Sequence, residues 1–341
     1  MTFLKNKKFT LLHLIIFSFL VAIATFSLTD FCMTKKITKE QANSTTSPSC
    51  KYDVKRMNGF KYIKPLMFVD DECESDNLAS VKQRIVEIIN RHKANQEVTD
   101  ASVYFREYES DDWVGFNEDE KYKPGSLFKV PVLMTILKMN EDNPGFLNKV
   151  VKYNKPFSIE KNVAYASKAI QVGQSYTIKE LLTYMIKYSD NNATILLEAN
   201  MTNDAFQKVF ADLGLRVPNA TDKEYLISVK EYSLFMRAIY NAAYLTIKDS
   251  EFAAELLTQC DFKEGILKGL PNGIIVAHKF GESGDMSEKQ LHESGIVYVN
   301  NTPYLLTVMT KGKDNKKLSQ LIAEISQAVY IDVSNSSSST M

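Results

Sequence analysis

The chain has no surplus of charge of either sign: 41 lysines and arginines balance 41 aspartates and glutamates over 341 residues. A phosphate backbone selects for clustered cationic surface, so nothing here favours nucleic acid, and no block of like charge marks an acidic or basic tail. Cysteine is scarce too. Cys32, Cys50, Cys73 and Cys260 contain no CxxC pair, and His13, His92, His278 and His292 show no ligand spacing, so neither a metal nor a cofactor is expected. In an oxidising compartment Cys50 and Cys73 could bridge; unpaired, buried thiols are the equal alternative. There is no internal repeat.

What is present is enough apolar material for one large globular domain or two modest ones, 45% hydrophobic against 24% charged. The N-terminus reads as an export segment: Lys5, Lys7 and Lys8, with no acid among them, precede an apolar run from about Leu11 to Leu28. Its length nearly spans a bilayer, so residues 1–32 are read as an uncleaved membrane anchor. Cleavage after Ala22-Ile23-Ala24 and lipid modification of Cys32 are the alternatives. The protein is accordingly expected outside the cytoplasm, anchored or secreted, and a monomer by default. Residues 33–59 are polar enough to be a solvated linker, and the tail from 333 to 341 is low in complexity and expected to be disordered.

Between linker and tail, an extended segment at Lys61–Val69 leads to an amphipathic helix from about Asp76 to Ala94, capped by Ser75 or Asp76. Alternation at Ala101–Glu109 and Trp113–Asn117 predicts a hairpin. From Asn140 to about Gln259 the period is helical, and Thr177 with Glu180 forms a capping box ahead of Ile178, Leu181, Leu182, Met185 and Ile186. Further helices are predicted at Ala193–Asn200, Asp204–Leu213, Val229–Tyr244 and Asp249–Leu257. Strands return at Gly273–Lys279, Ser294–Asn300 and Pro303–Thr310, and a helix from Asn315 to Tyr330 closes the fold. Two early and three late strands, each next to a terminal helix, predict an α+β fold. It has one five-stranded antiparallel sheet built from both chain ends, terminal helices against it, and an inserted helical lobe at about 130–265.

The stretch from Tyr122 to Pro131 concentrates the chemistry. Ser126 and Lys129 are three apart, so a helix starting near Ser126 puts hydroxyl and amine on one face. The residues that follow, Val132, Leu133, Met134, Ile136 and Leu137, are apolar on nearly every side and mark a buried helix. A lysine at the start of a dry core has its amine neutralised by desolvation and can take the serine's proton. Two more stretches stand out: Ser189-Asp190-Asn191 between two helices, and Lys279-Phe280-Gly281 at the end of a strand, with Glu282 after it. Each pattern also occurs elsewhere, as Ser158 with Lys161, Ser75-Asp76-Asn77, and Lys263-Glu264-Gly265. Only the first three combine a serine opening a buried helix, an interhelical loop and an edge of the late sheet, in that order.

SxxK, SDN and a lysine-glycine strand motif in this order resemble the penicillin-recognising serine enzymes, most closely the class A β-lactamases and related D,D-peptidases, over about residues 60–332. The resemblance implies a two-lobed fold and an acyl-enzyme on Ser126, with Lys129 as base and Ser189 passing a proton to the leaving nitrogen. It also implies that Asn191 holds the substrate's amide side chain, that Lys279 supplies positive potential to a substrate carboxylate with Gly281 beside it on the substrate-binding strand, and that the backbone N–H groups of Ser126 and Glu282 form the oxyanion hole. Asp190 is implied to orient its loop. The substrate would be a β-lactam, a peptidoglycan-derived peptide or a related amide.

The chain departs from that pattern twice. Phe280 replaces a hydroxyl residue that donates to the substrate carboxylate, and the loop between Leu213 and Ser228 is short and lacks the glutamate and asparagine that position the deacylating water. Slow deacylation is therefore expected unless Glu224 or Glu282 substitutes. A D,D-peptidase and a membrane-anchored sensor of β-lactams or wall peptides are the alternatives to a true β-lactamase.

Overall fold

Both ends of the folded chain meet in one pair of strands. β3 (Asp100–Glu107) runs antiparallel to β9 (Tyr304–Gly312), from Asp100 opposite Lys311 to Glu107 opposite Tyr304. In the computed structural model, which describes residues 51–157, 164–165, 167–219, 223–285, 287–299 and 302–338, this pair is the middle of a five-stranded antiparallel sheet. β4 (Trp113–Phe116) flanks β3; β8 (Lys289–Tyr298) and then β7 (Ile275–Gly284) continue beyond β9, so β7 is an edge strand. The sheet is the one expected.

One sheet face is covered by helices α1 (Ala79–Ala94) and α8 (Asn315–Ser338), whose Ile85, Ile89, Leu318, Ile322 and Ile325 bury against Val103, Phe105, Val276, Leu306 and Val308. The other face meets a helical lobe made of α2 (Lys129–Asp142), α3 (Ile178–Lys187), α4 (Asn191–Glu198), α5 (Asn203–Asp212), α6 (Val229–Tyr240) and α7 (Ile247–Thr258). α2 is its axis: every residue from Lys129 to Leu137 is buried. The predicted cap of α3 is present, with Thr177 and Glu180 in a reciprocal box, and Ser228 with Glu231 caps α6 in the same way.

Several expected boundaries are corrected. The folded part begins at β1 (Tyr52–Arg56), inside the expected linker, because β1 pairs with β2 (Leu66–Asp71). Ser75 precedes a short 3-10 turn without capping it, because its hydroxyl donates to Asp112 at 2.5 Å instead. A two-stranded ribbon of β5 (Val150–Lys152) and β6 (Ser175–Thr177) was not expected inside the helical lobe. β7 runs five residues past Lys279, so Lys279-Phe280-Gly281-Glu282 lies within a strand and not at its end. α8 continues to Ser338, beyond the start of the tail expected to be disordered, and Val333 on it is buried. The anchor at residues 1–32, the decoy pair Ser158 and Lys161, and the turn at Asn300-Asn301 lie outside the described residues. No described helix is long and apolar enough to cross a membrane. Cys73 is in a disulfide, and Cys260 is a buried free thiol.

Candidate active site

Ser126 lies in a 3-10 turn, Gly125–Phe128, that tips straight into α2, so the helix proper starts at Lys129, three residues later than expected. That turn is pressed against the edge of β7. Gly125 has φ +52, and a Cβ there would stand 2.1 Å from the carbonyl oxygen of Glu282; one on Gly281 would stand 2.4 Å from the carbonyl oxygen of Pro124 and 2.7 Å from the nitrogen of Leu127. Only glycines let these two backbones touch. The contact sets the Ser126 turn against Glu282 at an edge where, among the described residues, β7 has no further strand to pair with.

The turn is also strapped from behind. Lys123, three residues ahead of Ser126, has its carbonyl bonded by the Ser283 hydroxyl at 2.9 Å and by His292 Nε2 at 3.0 Å, while its N–H donates to Gln290 Oε1 at 3.1 Å. The hydroxyl of Tyr232 on α6 donates to the Leu127 carbonyl at 3.0 Å. His292 is wholly buried, accepts from the Thr310 N–H at Nδ1, and is held neutral, its pKa pushed down to about 3 by burial. Sequence reasoning missed these four supports. They lie 105 to 169 residues from what they hold, and no local spacing announces them.

Lys129, 3% exposed, points its amine at the Ser189 loop. It donates to the Ser189 carbonyl at 2.5 Å, to Asn191 Oδ1 at 2.7 Å and to Ser189 Oγ at 3.0 Å. Ser189 is held at φ 54, a left-handed backbone unusual for a residue with a Cβ, which turns its carbonyl and its hydroxyl onto one amine. Asp190 keeps the loop in place: it caps α4 by accepting from the Asn192 N–H, and its other oxygen accepts from the Ile170 N–H at 2.8 Å.

From the opposite side the fully buried Lys279 donates to the same Ser189 Oγ at 3.0 Å and to the Phe280 carbonyl at 2.8 Å. Ser189 thus accepts from two amines. Both lone pairs of its hydroxyl are engaged, and its own proton is what it has left to give. Burial lowers the pKa of Lys279 to about 8. It holds Lys129 well below the ordinary lysine range, with the Lys279 charge adding to the effect and Asp190 and Glu198 opposing it. Burial therefore works against the charge on Lys129, whereas the three hydrogen bonds it donates use all three N–H bonds of an ammonium, so to accept the Ser126 proton it must first give one of them up.

Hydrogen bonds therefore join Lys129, Ser189, Asn191 and Lys279, and the Ser126 turn packs against the strand edge at Gly281 and Glu282; the Lys129 amine is turned to the Ser189 loop and is not hydrogen-bonded to Ser126. The two acids considered as substitutes for a deacylating carboxylate are engaged elsewhere. Glu224 pairs with Lys123 Nζ at 2.6 Å, and Glu282 Oε2 accepts from the Ala164 N–H at 2.8 Å. The short loop that carries Glu224 is packed on aromatics, Tyr225 meeting Phe128 edge-on at 5.1 Å.

Residues 80–333 match the model of the beta-lactamase enzyme family. The chain belongs to this family. Among relatives, the extended-spectrum beta-lactamase PER-1 of Pseudomonas aeruginosa is 26% identical over 243 residues, 63% of this chain and 76% of that protein. Among solved structures, a beta-lactamase from Chitinophaga pinensis superposes with TM-score 0.64 at 18% identity, covering 74% of this chain and 99% of that one. A single-residue variant of PBP-A, solved as an acyl-enzyme complex with penicillin G, gives 0.63 at 20% identity over 76% and 97%. The two lobes, the five-stranded antiparallel sheet and the membership of a hydrolase family are those expected from the sequence.

Proposed function

We propose that this protein is an exported serine hydrolase of the class A β-lactamase type that forms an acyl-enzyme on Ser126 from β-lactams or peptidoglycan-derived amides and releases it slowly. The observation that carries the reading is the double engagement of the Ser189 hydroxyl by Lys129 and Lys279, both cut off from water. In the reaction, Ser126 Oγ bonds to the substrate carbonyl carbon while its proton passes to the amine of Lys129. The carbonyl oxygen, now negative, is met by the N–H groups of Ser126 and Glu282, preorganised by the contact of turn and strand. As the carbon–nitrogen bond breaks, Ser189 gives its proton to the leaving nitrogen. Asn191, whose Oδ1 is taken by Lys129, offers its N–H2 to the substrate's amide side chain.

Slow release is supported by where the acids are. Glu224 is paired with Lys123, and Glu282 accepts from the Ala164 N–H with one oxygen while the other is buried without a partner and burial favours its protonated form, so neither is arranged as a base for water at the ester. This favours a wall-peptide-directed enzyme that β-lactams trap over one that destroys them. The test is intact mass spectrometry after mixing with benzylpenicillin. A single long-lived adduct is expected on wild type and none on Ser126→Ala. Rapid loss of penicillin with no adduct would overturn slow release, as would hydrolysis of a chromogenic cephalosporin at tens of turnovers per second, about the ordinary enzyme range. Neither adduct nor penicillin loss would overturn the acyl-enzyme reading itself.

A further inference from the structure

The β1–β2 hairpin has two unlike faces. Val54 lies opposite Val69 and Lys55 opposite Phe68, and a slip in register after Lys55 sets Arg56 opposite Leu66. Paired residues share a face, so Phe68 and Asp70 point one way while Tyr52, Val54, Leu66 and Val69 point the other. The first face is rooted in the domain. Asp70 Oδ1 accepts from the buried Arg237 Nη2 at 2.5 Å and lies 3.5 Å from Arg106 Nη1, and the Arg237 guanidinium covers the buried Phe68 ring at 4.8 Å from its centroid. The second face is bare, Tyr52 being 68% exposed and Val54, Leu66 and Val69 exposed beside it.

The tip between the strands adds Phe60, Tyr62 and Ile63, with Tyr62 85% exposed. It is closed at its base, where the Met57 N–H donates to the Pro65 carbonyl and Arg56 Nη1 to the Lys64 carbonyl, both at 2.9 Å. Seven of the fourteen large hydrophobic residues exposed among the described ones thus fall between Tyr52 and Val69. Apolar residues scattered singly need no explanation, but a cluster of this kind marks a contact surface.

Its charge and its place in the chain say what it contacts. From Lys51 to Leu66 the cations Lys51, Lys55, Arg56, Lys61 and Lys64 face one acid, Asp53, in a chain whose charges otherwise balance. Exposed aromatic rings interleaved with long cations suit the headgroup region of a bilayer, where rings sit at the boundary and amines reach lipid phosphates. A second copy of the same face would instead bring like charges together. The hairpin is also the first folded element after the apolar run of about Leu11 to Leu28. A polar chain as long as residues 29–51 spans about 25 Å on average, so lipid holding that run would be within the hairpin's reach. Cys73, two residues past β2, is in a disulfide, as suits a compartment outside the cytoplasm.

We propose that the β1–β2 hairpin is a membrane-docking element whose bare face and tip rest in the headgroup region of an anionic phospholipid bilayer. Asp70 and Phe68 couple it to the domain. The inference draws on the export reading above and is independent of the acyl-enzyme one.

The experiment reconstitutes the full chain with vesicles of phosphatidylcholine alone or of an equal mixture with phosphatidylglycerol, and follows hydrogen exchange by mass spectrometry across residues 57–66. Exchange there is expected to be roughly fivefold slower or more with the anionic vesicles, the scale of even one cation at an anionic surface, and high salt should erase the difference. Lys61→Glu with Lys64→Glu should abolish it, and so should Tyr62→Ser with Ile63→Ser, while unchanged exchange across β3 and β9 shows that each variant keeps the fold. Equal exchange with the two kinds of vesicle overturns the proposal. So does slowing that appears without lipid and grows with protein concentration, which would assign the face to a second copy of the chain.

Discussion

The two faces of β7 do opposite kinds of work. Toward the helical lobe, Lys279 donates to the Ser189 loop, Gly281 withholds a side chain so that the Ser126 turn can touch, and Ser283 bonds the Lys123 carbonyl. Toward α8, His278 Nδ1 meets Glu293 Oε1 at 2.6 Å with both side chains fully buried, and Phe280 stacks on Phe262. Glu293 uses its second oxygen to hold the Ile266 N–H at 2.7 Å, which pins the segment just after Phe262. Because side chains alternate along a strand, one short segment supplies reactive polar groups on one side and rigid packing on the other without either disturbing its neighbour. A change on the first face should strike activity; a change on the second should strike stability.

The sharpest way to break this division is at Gly281. Gly281→Val places atoms where the Pro124 carbonyl and the Leu127 nitrogen already are, so the Ser126 turn must withdraw from the strand edge. A displacement of this order costs about 10²-fold or more in acylation, and forcing extra methyl groups into a packed contact costs about 1–3 kcal/mol of stability. The acylation rate with benzylpenicillin and a urea melt measure the two. A variant that retained near-wild-type acylation would show that the turn and the strand need not touch.

Next in size is Lys279→Met, where activity and stability should move in opposite directions. Losing the bond to Ser189 removes the partner that orients its proton, and acylation should fall about 10²- to 10³-fold, the scale of a lost preorganised donor. Stability should rise, by about 1 kcal/mol at pH 7 or a few degrees in the melting temperature, because a buried amine pushed to about 8 is costly to keep charged and only part of that cost is returned by its two hydrogen bonds. The linkage fixes the sign. The folded-state pKa lies below the usual 10.5, so between about 8 and 10.5 the unfolded chain binds more protons and wild-type stability rises with pH there, an increment that Lys279→Met should lack.

How much of this could be read from the sequence depended on how local the cause was. The box of Thr177 with Glu180 is a spacing within one helical turn and was legible, as was the buried helix that begins at Lys129. The five-stranded sheet followed from the order of elements. β7 was cut short because Glu282-Ser283-Gly284 is polar enough to read as a turn, yet pairing with Leu291, Gln290 and Lys289 keeps it extended at an edge where polar side chains are tolerated. β1 was missed for the same reason: Tyr52–Arg56 is mostly exposed and earns strand geometry from its partner alone. The supports of Lys123 were illegible because Gln290 and His292 are ordinary strand residues until the fold brings the Ser126 turn onto them.

The smallest and most selective effect concerns that last contact. His292 holds both partners only as the neutral ring, Nε2 donating to the Lys123 carbonyl and Nδ1 accepting from the Thr310 N–H, because protonation would put a hydrogen on Nδ1. Its folded pKa, about 3, lies below the usual 6.5, so the unfolded chain takes up a proton first as pH falls. Stability supplied by this residue is complete above pH 6.5 and is lost progressively toward pH 3, about 2–3 kcal/mol of it by pH 4. His292→Gln keeps one donor and one acceptor but does not titrate. It should cost about 1 kcal/mol at pH 7 through poorer geometry and then fall less steeply than wild type in melts between pH 7 and pH 4. Parallel curves for the two proteins would mean that the ring does not protonate on unfolding in this range, and that the strap behind Ser126 is indifferent to acid.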